Sequence, residues 1–281
     1  MNDGVDGMSQ EAVFQDKACF AQRLWGKVKN IFERERNFLL LIFFFSLLVR
    51  IYVRVMELCI SRDGCQYVML ARIWIQGQFQ DVLEAYPIGC PPFLLFLMVA
   101  LNYFGISPVV YGVGLNILAG ALCPCLIYAI SREIFPRARK IAAFAAVLTA
   151  VNPSLIFLSI EPQRDMIYLF FCGCVFWFIL IALRKDRLYL WGLAGCASAF
   201  ASLTRFEAFE LLPLVLFVLF FCSVRKVIPL KKSLLRGVIF LLSFFLVNII
   251  FFSFTGSFDI ILVFYKNFMQ WRWDVLSEEL M

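Results

Sequence analysis

Long apolar runs separated by short charged connections dominate the chain from residue 37 onward. Runs near 37–58, 108–130, 141–159, 166–183, 188–204, 208–224 and 237–254 approach the roughly 20 residues a helix needs to cross hydrocarbon. They predict about seven membrane spans. The run CPPFLLFLMVALNYFGI (90–106) is shorter and opens on the pair Pro91–Pro92. Counting it as a crossing would invert the sidedness of everything after it. We read it as a juxtamembrane or re-entrant helix, with proline near a first turn where a missing N–H costs little. Residues 59–107 then form one long connection, the kind in which function concentrates. Residues 11–36 carry Phe14, Ala18, Ala21, Trp25, Val28 and Phe32 among lysines and arginines. That pattern suits either a helix lying flat on an anionic surface or an arm packed on the protein.

Charge sorts the connections into two alternating sets. SREIFPRARK (131–140), RKDR (184–187) and RKVIPLKKSLLR (225–236) are basic, as is the N-terminal arm. The other set holds Asp63, Asp81, Glu84, Glu161, Asp165 and Glu207, with few Lys or Arg. The positive-inside rule assigns the basic set to the cytoplasm, so the acidic connections share the opposite face.

Composition agrees. The 281 residues are 62% hydrophobic and 16% charged, with 33 Phe, too little polar surface to cover a soluble globule. The reading is an all-α, polytopic helical bundle: a cytoplasmic arm over 1–36, a membrane module over 37–254 and an external, interfacial segment over 255–281. A net charge of +6 is spread over loops rather than gathered on one face, so nucleic acid is not an expected partner. Histidine is absent, which removes imidazole chemistry. MNDGVDGMSQ lacks the basic-then-apolar order of a secretory signal, so the first span is expected to remain as an anchor.

The candidate chemistry lies on the acidic side. Asp63 opens SRDGCQYVMLARIW, where Tyr67, Leu70, Ala71 and Trp74 recur at helical spacing. A carboxylate there is either a helix-terminal cap or a functional acid. Glu161 and Asp165, four residues apart, would share a face if that stretch is helical, with Arg164 beside them. Arg205 and Glu207 mark another span end. Arg50 and Arg54 lie one turn apart in the first span; they either snorkel to headgroups or border a site for a lipid phosphate.

In their order, the early Asp of SRDGCQYVMLARIWIQGQF, the PPFLLFL element, LIYAISREIFPRARKIAAFAAVLTAVNPSLIFLS, the acids of EPQRDMIYLFF and GLAGCASAFASLTRFEAFELLPLVL resemble the GT-C superfamily of membrane glycosyltransferases. The likeness is to the branch of dolichyl-phosphate-mannose–protein mannosyltransferases and aminoarabinose transferases, and it covers about residues 37–254. It implies sugar transfer from a polyprenyl-phosphate donor to a hydroxyl on a glycan, lipid or protein, on the extracytoplasmic side. The short loops lean toward a bacterial inner membrane as the location. Asp63 falls where the family places its general base. The family often writes Asp-Glu there, and this chain has Asp63–Gly64. It often writes Lys before the proline pair, and this chain has Cys90. Asp165 and Arg205 match the acid and the arginine of the later external turns. The resemblance implies phosphate or substrate contacts for Arg205, Arg164, Arg54, Glu161, Asp165 and Tyr67. It requires no cofactor; a divalent cation, if used, would fall to Asp165 and Glu161. Family members usually continue with further spans, so a short member, or a non-catalytic subunit binding polyprenyl lipid or a partner, is the competing expectation. A transporter fits less well, because no inverted repeat is visible and the charges sit at span ends.

Overall fold

The computed structural model describes residues 35–57, 59–77, 79, 81–82 and 91–255. The proposed arm before residue 35 and the segment after 255 lie outside the described residues, as do Glu84 and Cys90. Among the described residues every regular element is helical. In chain order these are α1 (Glu35–Met56), α2 (Arg62–Gln76), α3 (Pro92–Asn102), α4 (Pro108–Ile134), α5 (Arg139–Val151), α6 (Pro153–Ser159), α7 (Asp165–Lys185) and α8 (Leu188–Ser202). A 3₁₀ turn (Phe206–Glu210) follows and leads into α9 (Leu211–Val224), and α10 (Leu230–Phe254) completes the set.

Five of these are long and apolar enough to cross a membrane: α1, α4, α7, the 3₁₀ turn continued by α9, and α10. A sixth is the pair α5–α6, which bends by 55°. The run expected as a single span over 141–159 is therefore a broken one. The cause is Asn152–Pro153: proline cannot supply the helical N–H and pushes the residue before it out of the helical region. Asn152 adopts φ −64°, ψ 118° and turns its side chain to cap α6, accepting from the Leu155 N–H at 3.1 Å.

The remaining run, 188–204, forms only the 15-residue α8, about 22 Å at 1.5 Å per residue. It nevertheless joins the two ends of the bundle. At one end Glu35 accepts from Arg132 (3.3 Å) and Arg139 (Nε, 2.8 Å). Glu133 pairs there with Arg184 (3.0 Å), and Asp186 pairs with Lys232 (3.0 Å) and Arg236. At the other end Ser61 meets Glu161, and Asp165 meets Arg205. α8 begins beside Asp186 and finishes three residues before Arg205. The basic connections thus share one end and the acidic ones the other, and the chain alternates between them seven times.

α8 is central because it is small. Ala194, Gly195, Ala197, Ser198, Ala199, Ala201 and Ser202 are all buried, and α7 and α10 pack on it. A β-carbon on Gly195 would stand 2.3 Å from the Phe240 carbonyl oxygen. Backbones approach this closely in a bilayer where small residues line the contact. Where α8 stops, α3 takes over. The Phe93 N–H, an orphan donor in the first turn of α3, donates to the Leu203 carbonyl at 3.0 Å. The Phe93 ring lies 4.9 Å from Phe200 and 5.9 Å from Phe171. The short apolar run thus forms a helix of its own, seated across the end of α8, with Leu94, Leu95 and Met98 fully buried.

Arg50 departs from the snorkelling expectation. It is fully buried and turned into the bundle, with one guanidinium nitrogen donating to Ser46 and, at 3.3 Å, to the Ala150 carbonyl. Carbonyls in the last turn of a helix lack intrahelical partners, and a cation there is favoured. Arg50 therefore braces the end of α5 just before the break. Its other two nitrogens have no hydrogen-bond partner among the described residues.

Candidate functional site

At the acidic end the start of α2, the connection 160–165 and the turn 203–207 come together. Ser61 caps α2, accepting from the Gly64 N–H at 3.2 Å. Asp63 sits inside the first turn, exposed. Asp63 is therefore not the cap; the hydroxyl two residues earlier is. The cap is itself gripped: the Ser61 N–H donates to Glu161 Oε2 at 2.8 Å, and Gln163 Nε2 donates to Ser61 Oγ at 2.7 Å. Gly64 lies against Pro162, where an added β-carbon would fall 3.0 Å from the ring. Two side chains and one close backbone approach thus fix the turn carrying Asp63 to the connection between α6 and α7.

Arg205 organises the other half. Its Nη2 and Nε donate to the two oxygens of Glu207 at 2.7 and 3.2 Å, its Nη1 donates to Asp165, and its guanidinium carbon lies 5.5 Å from the centre of the Tyr168 ring. Its hydrogen bonds to Glu207 hold it charged, above its ordinary value, with Asp165 adding to the effect and burial opposing it. A planar fork suits this two-sided grip, which lysine lacks. Glu207 reaches it from only two residues away because the segment is a 3₁₀ turn, and Asp165 because it opens α7.

Each residue singled out in the sequence now has a place. Glu161 and Asp165 do not share a helical face, since α6 ends at Ser159 and α7 begins at Asp165; one grips Ser61 and the other Arg205. They turn to different partners. Among the described residues no group of three or more His, Cys, Asp or Glu side chains is arranged to hold a metal. Arg164 precedes α7 and lies close enough to Glu207 to act on its charge. Arg54 donates to the Glu57 and Cys59 carbonyls at 2.8 and 3.0 Å, closing the end of α1. Tyr67 is buried in the core that α2 shares with α3. Sequence reasoning missed Ser61, Gln163 and Tyr168. A serine two residues ahead of a first-turn acid was the available signal for Ser61; the other two had none.

What results chemically is an exposed carboxylate on a braced helix terminus, at the same end of the bundle as a guanidinium framed by two carboxylates and an aromatic ring. Residues 90–251, more than half of the 281-residue chain, match the model of a family described as dolichyl-phosphate-mannose-protein mannosyltransferase. No curated protein and no solved structure matches the chain.

Proposed function

The chain belongs to the dolichyl-phosphate-mannose–protein mannosyltransferase family, of the GT-C type of membrane glycosyltransferase, and we propose that it moves a sugar from a polyprenyl-phosphate donor to an acceptor hydroxyl at the acidic end of the bundle. Asp63 is the general base. The acceptor oxygen attacks the anomeric carbon as its proton passes to the Asp63 carboxylate. The bond from that carbon to the phosphate oxygen breaks, and the polyprenyl phosphate leaves with the electron pair. Cations beside the leaving group lower the barrier, and Arg205, with Arg164 and Arg54 behind it, is the group to supply that charge. The acidic end faces away from the cytoplasm, because the basic connections gather at the other end. The observation carrying this reading is the family match together with the bracing of the Asp63 turn by Glu161 and Gln163.

The test is Asp63→Asn in purified protein supplied with a polyprenyl-phosphate sugar and an acceptor. A base contributes about 10²–10⁴ in rate, so transfer should fall by that factor while donor binding persists. Undiminished transfer would remove Asp63 from the reaction. One observation favours a second reading, a non-catalytic subunit that binds polyprenyl lipid or a partner: Arg205 is already neutralised by Asp165 and Glu207. On that reading the wild-type protein binds the donor and transfers nothing.

A further inference from the structure

The opposite end of the bundle, which the proposed chemistry does not use, carries a groove between α1 and α4. It encloses about 560 Å³ and is walled by Leu39, Leu40, Phe43, Leu122 and Cys125, with Glu35 and Arg36 at its mouth. Its size falls within the range of ligand pockets, and its walls are apolar. The mouth is not. Arg132 and Arg139 both turn to Glu35, so that one carboxylate faces two guanidinium groups, and the exposed Arg36 adds a third. Among the described residues, three cations against one anion leave two positive charges in excess where an apolar channel opens.

We propose that this groove binds an anionic phospholipid of the leaflet at the basic end, one acyl chain lying along Leu39, Leu40, Phe43 and Leu122 and the headgroup phosphate meeting Arg36, Arg132 and Arg139. Charge selects the occupant. A zwitterionic lipid would fill the channel equally well but would bring no net charge to the excess at the mouth. Basic pockets between membrane helices take anionic headgroups for this reason, and arginine presents a fork matched to phosphate oxygens. The site is independent of the sugar-transfer reading, since it lies at the far end of the bundle from Asp63 and Arg205.

Native mass spectrometry of the purified full chain, after exchange into detergent containing phosphatidylglycerol or phosphatidylcholine, tests the proposal. Wild-type protein should retain phosphatidylglycerol at least about fivefold more than phosphatidylcholine, about the effect of one surface cation on an anionic lipid. Arg36→Gln should reduce that preference severalfold and leave phosphatidylcholine retention unchanged. Leu122→Trp and, from the other wall, Leu40→Trp should lower retention of both lipids, because the indole fills the channel. Two plugs are used so that a folding defect in one, read from its melting temperature, does not decide the outcome. Equal retention of the two lipids by the wild type, or lipid adducts that neither tryptophan displaces, would overturn the proposal. The second result would leave the groove to another occupant, such as the chain preceding Glu35.

Discussion

Replacing Gly195 by alanine is the sharpest test of how α8 is held. The added methyl would lie 2.3 Å from the Phe240 carbonyl oxygen and 3.0 Å from Ser243 Cβ. The first distance is about 1 Å inside normal carbon–oxygen contact, and the obstacle is backbone, which cannot rotate away. α8 and α10 must therefore separate, and overpacking of this kind costs about 1–3 kcal/mol. Because two helices have to move, the upper part of the range applies. Against it stands the gain of about 1 kcal/mol from alanine over glycine inside a helix, leaving a net loss of about 2 kcal/mol. Gly114 in α4 is the matched control. A β-carbon there meets nothing within 4 Å, so Gly114→Ala keeps the helical gain and loses nothing. The two variants should differ by about 3 kcal/mol, or roughly 6–12 °C in melting temperature if the scaling of large soluble domains carries over. Thermal unfolding in one detergent, with both variants side by side, reads the difference. Equal melting temperatures would mean that α8 and α10 do not touch as described.

Asp186→Asn should destabilise the protein at pH 7. Asp186 sits at φ 49°, a conformation asparagine also accepts, so the change removes charge without straining the turn. Its carboxyl is held below the usual range by hydrogen bonds from Lys232 and Arg236. The stabilisation is therefore present above the ordinary aspartate value of about 3.9 and fades as pH falls through the lowered folded value, so the melting temperatures of variant and wild type should converge on acidification. Arg50→Met exchanges a buried guanidinium with two unpartnered nitrogens for an apolar chain of similar length. Because buried charges are often replaced at no net cost, the variant should melt no lower than wild type; a large fall would show that the brace on Ala150 outweighs the unpaired nitrogens. Arg205→Lys cannot span Glu207 and Asp165 together, and it should lower both melting temperature and sugar transfer while Asp63→Asn lowers transfer alone.

The sorting of charges was legible in the sequence, because each basic connection is short and contiguous. It places Arg132, Arg184 and Arg236 at one end, where the structure pairs each with an acid. That residues 92–102 form a short helix of their own was legible too, from Pro91–Pro92 and the length of the run. Its seat on the Leu203 carbonyl was not, since nothing local marks a contact across 110 residues. Hydropathy alone made 141–159 continuous; Asn152–Pro153 carried the contrary signal, and backbone chemistry outweighed apolarity. The fate of Arg50 was hidden for a related reason. Spacing along a helix gives a face but not which neighbour the face meets, and here the neighbour is a broken helix end with carbonyls to offer. Glu207 was legible only as the mark of a span end, because pairing with Arg205 two residues earlier requires a 3₁₀ turn that the segment TRFE does not announce.

The brevity of α8 has a consequence for depth. About 22 Å of helix is about 8 Å shorter than a hydrocarbon slab of about 30 Å, and α3 lies across its end as a floor, joined to Leu203. A sugar carried by a lipid hangs from a phosphate that stays at the membrane boundary. On the proposed reading, a floor recessed in this way would let such a headgroup arrive sideways from the bilayer, while water-soluble molecules would come down from above.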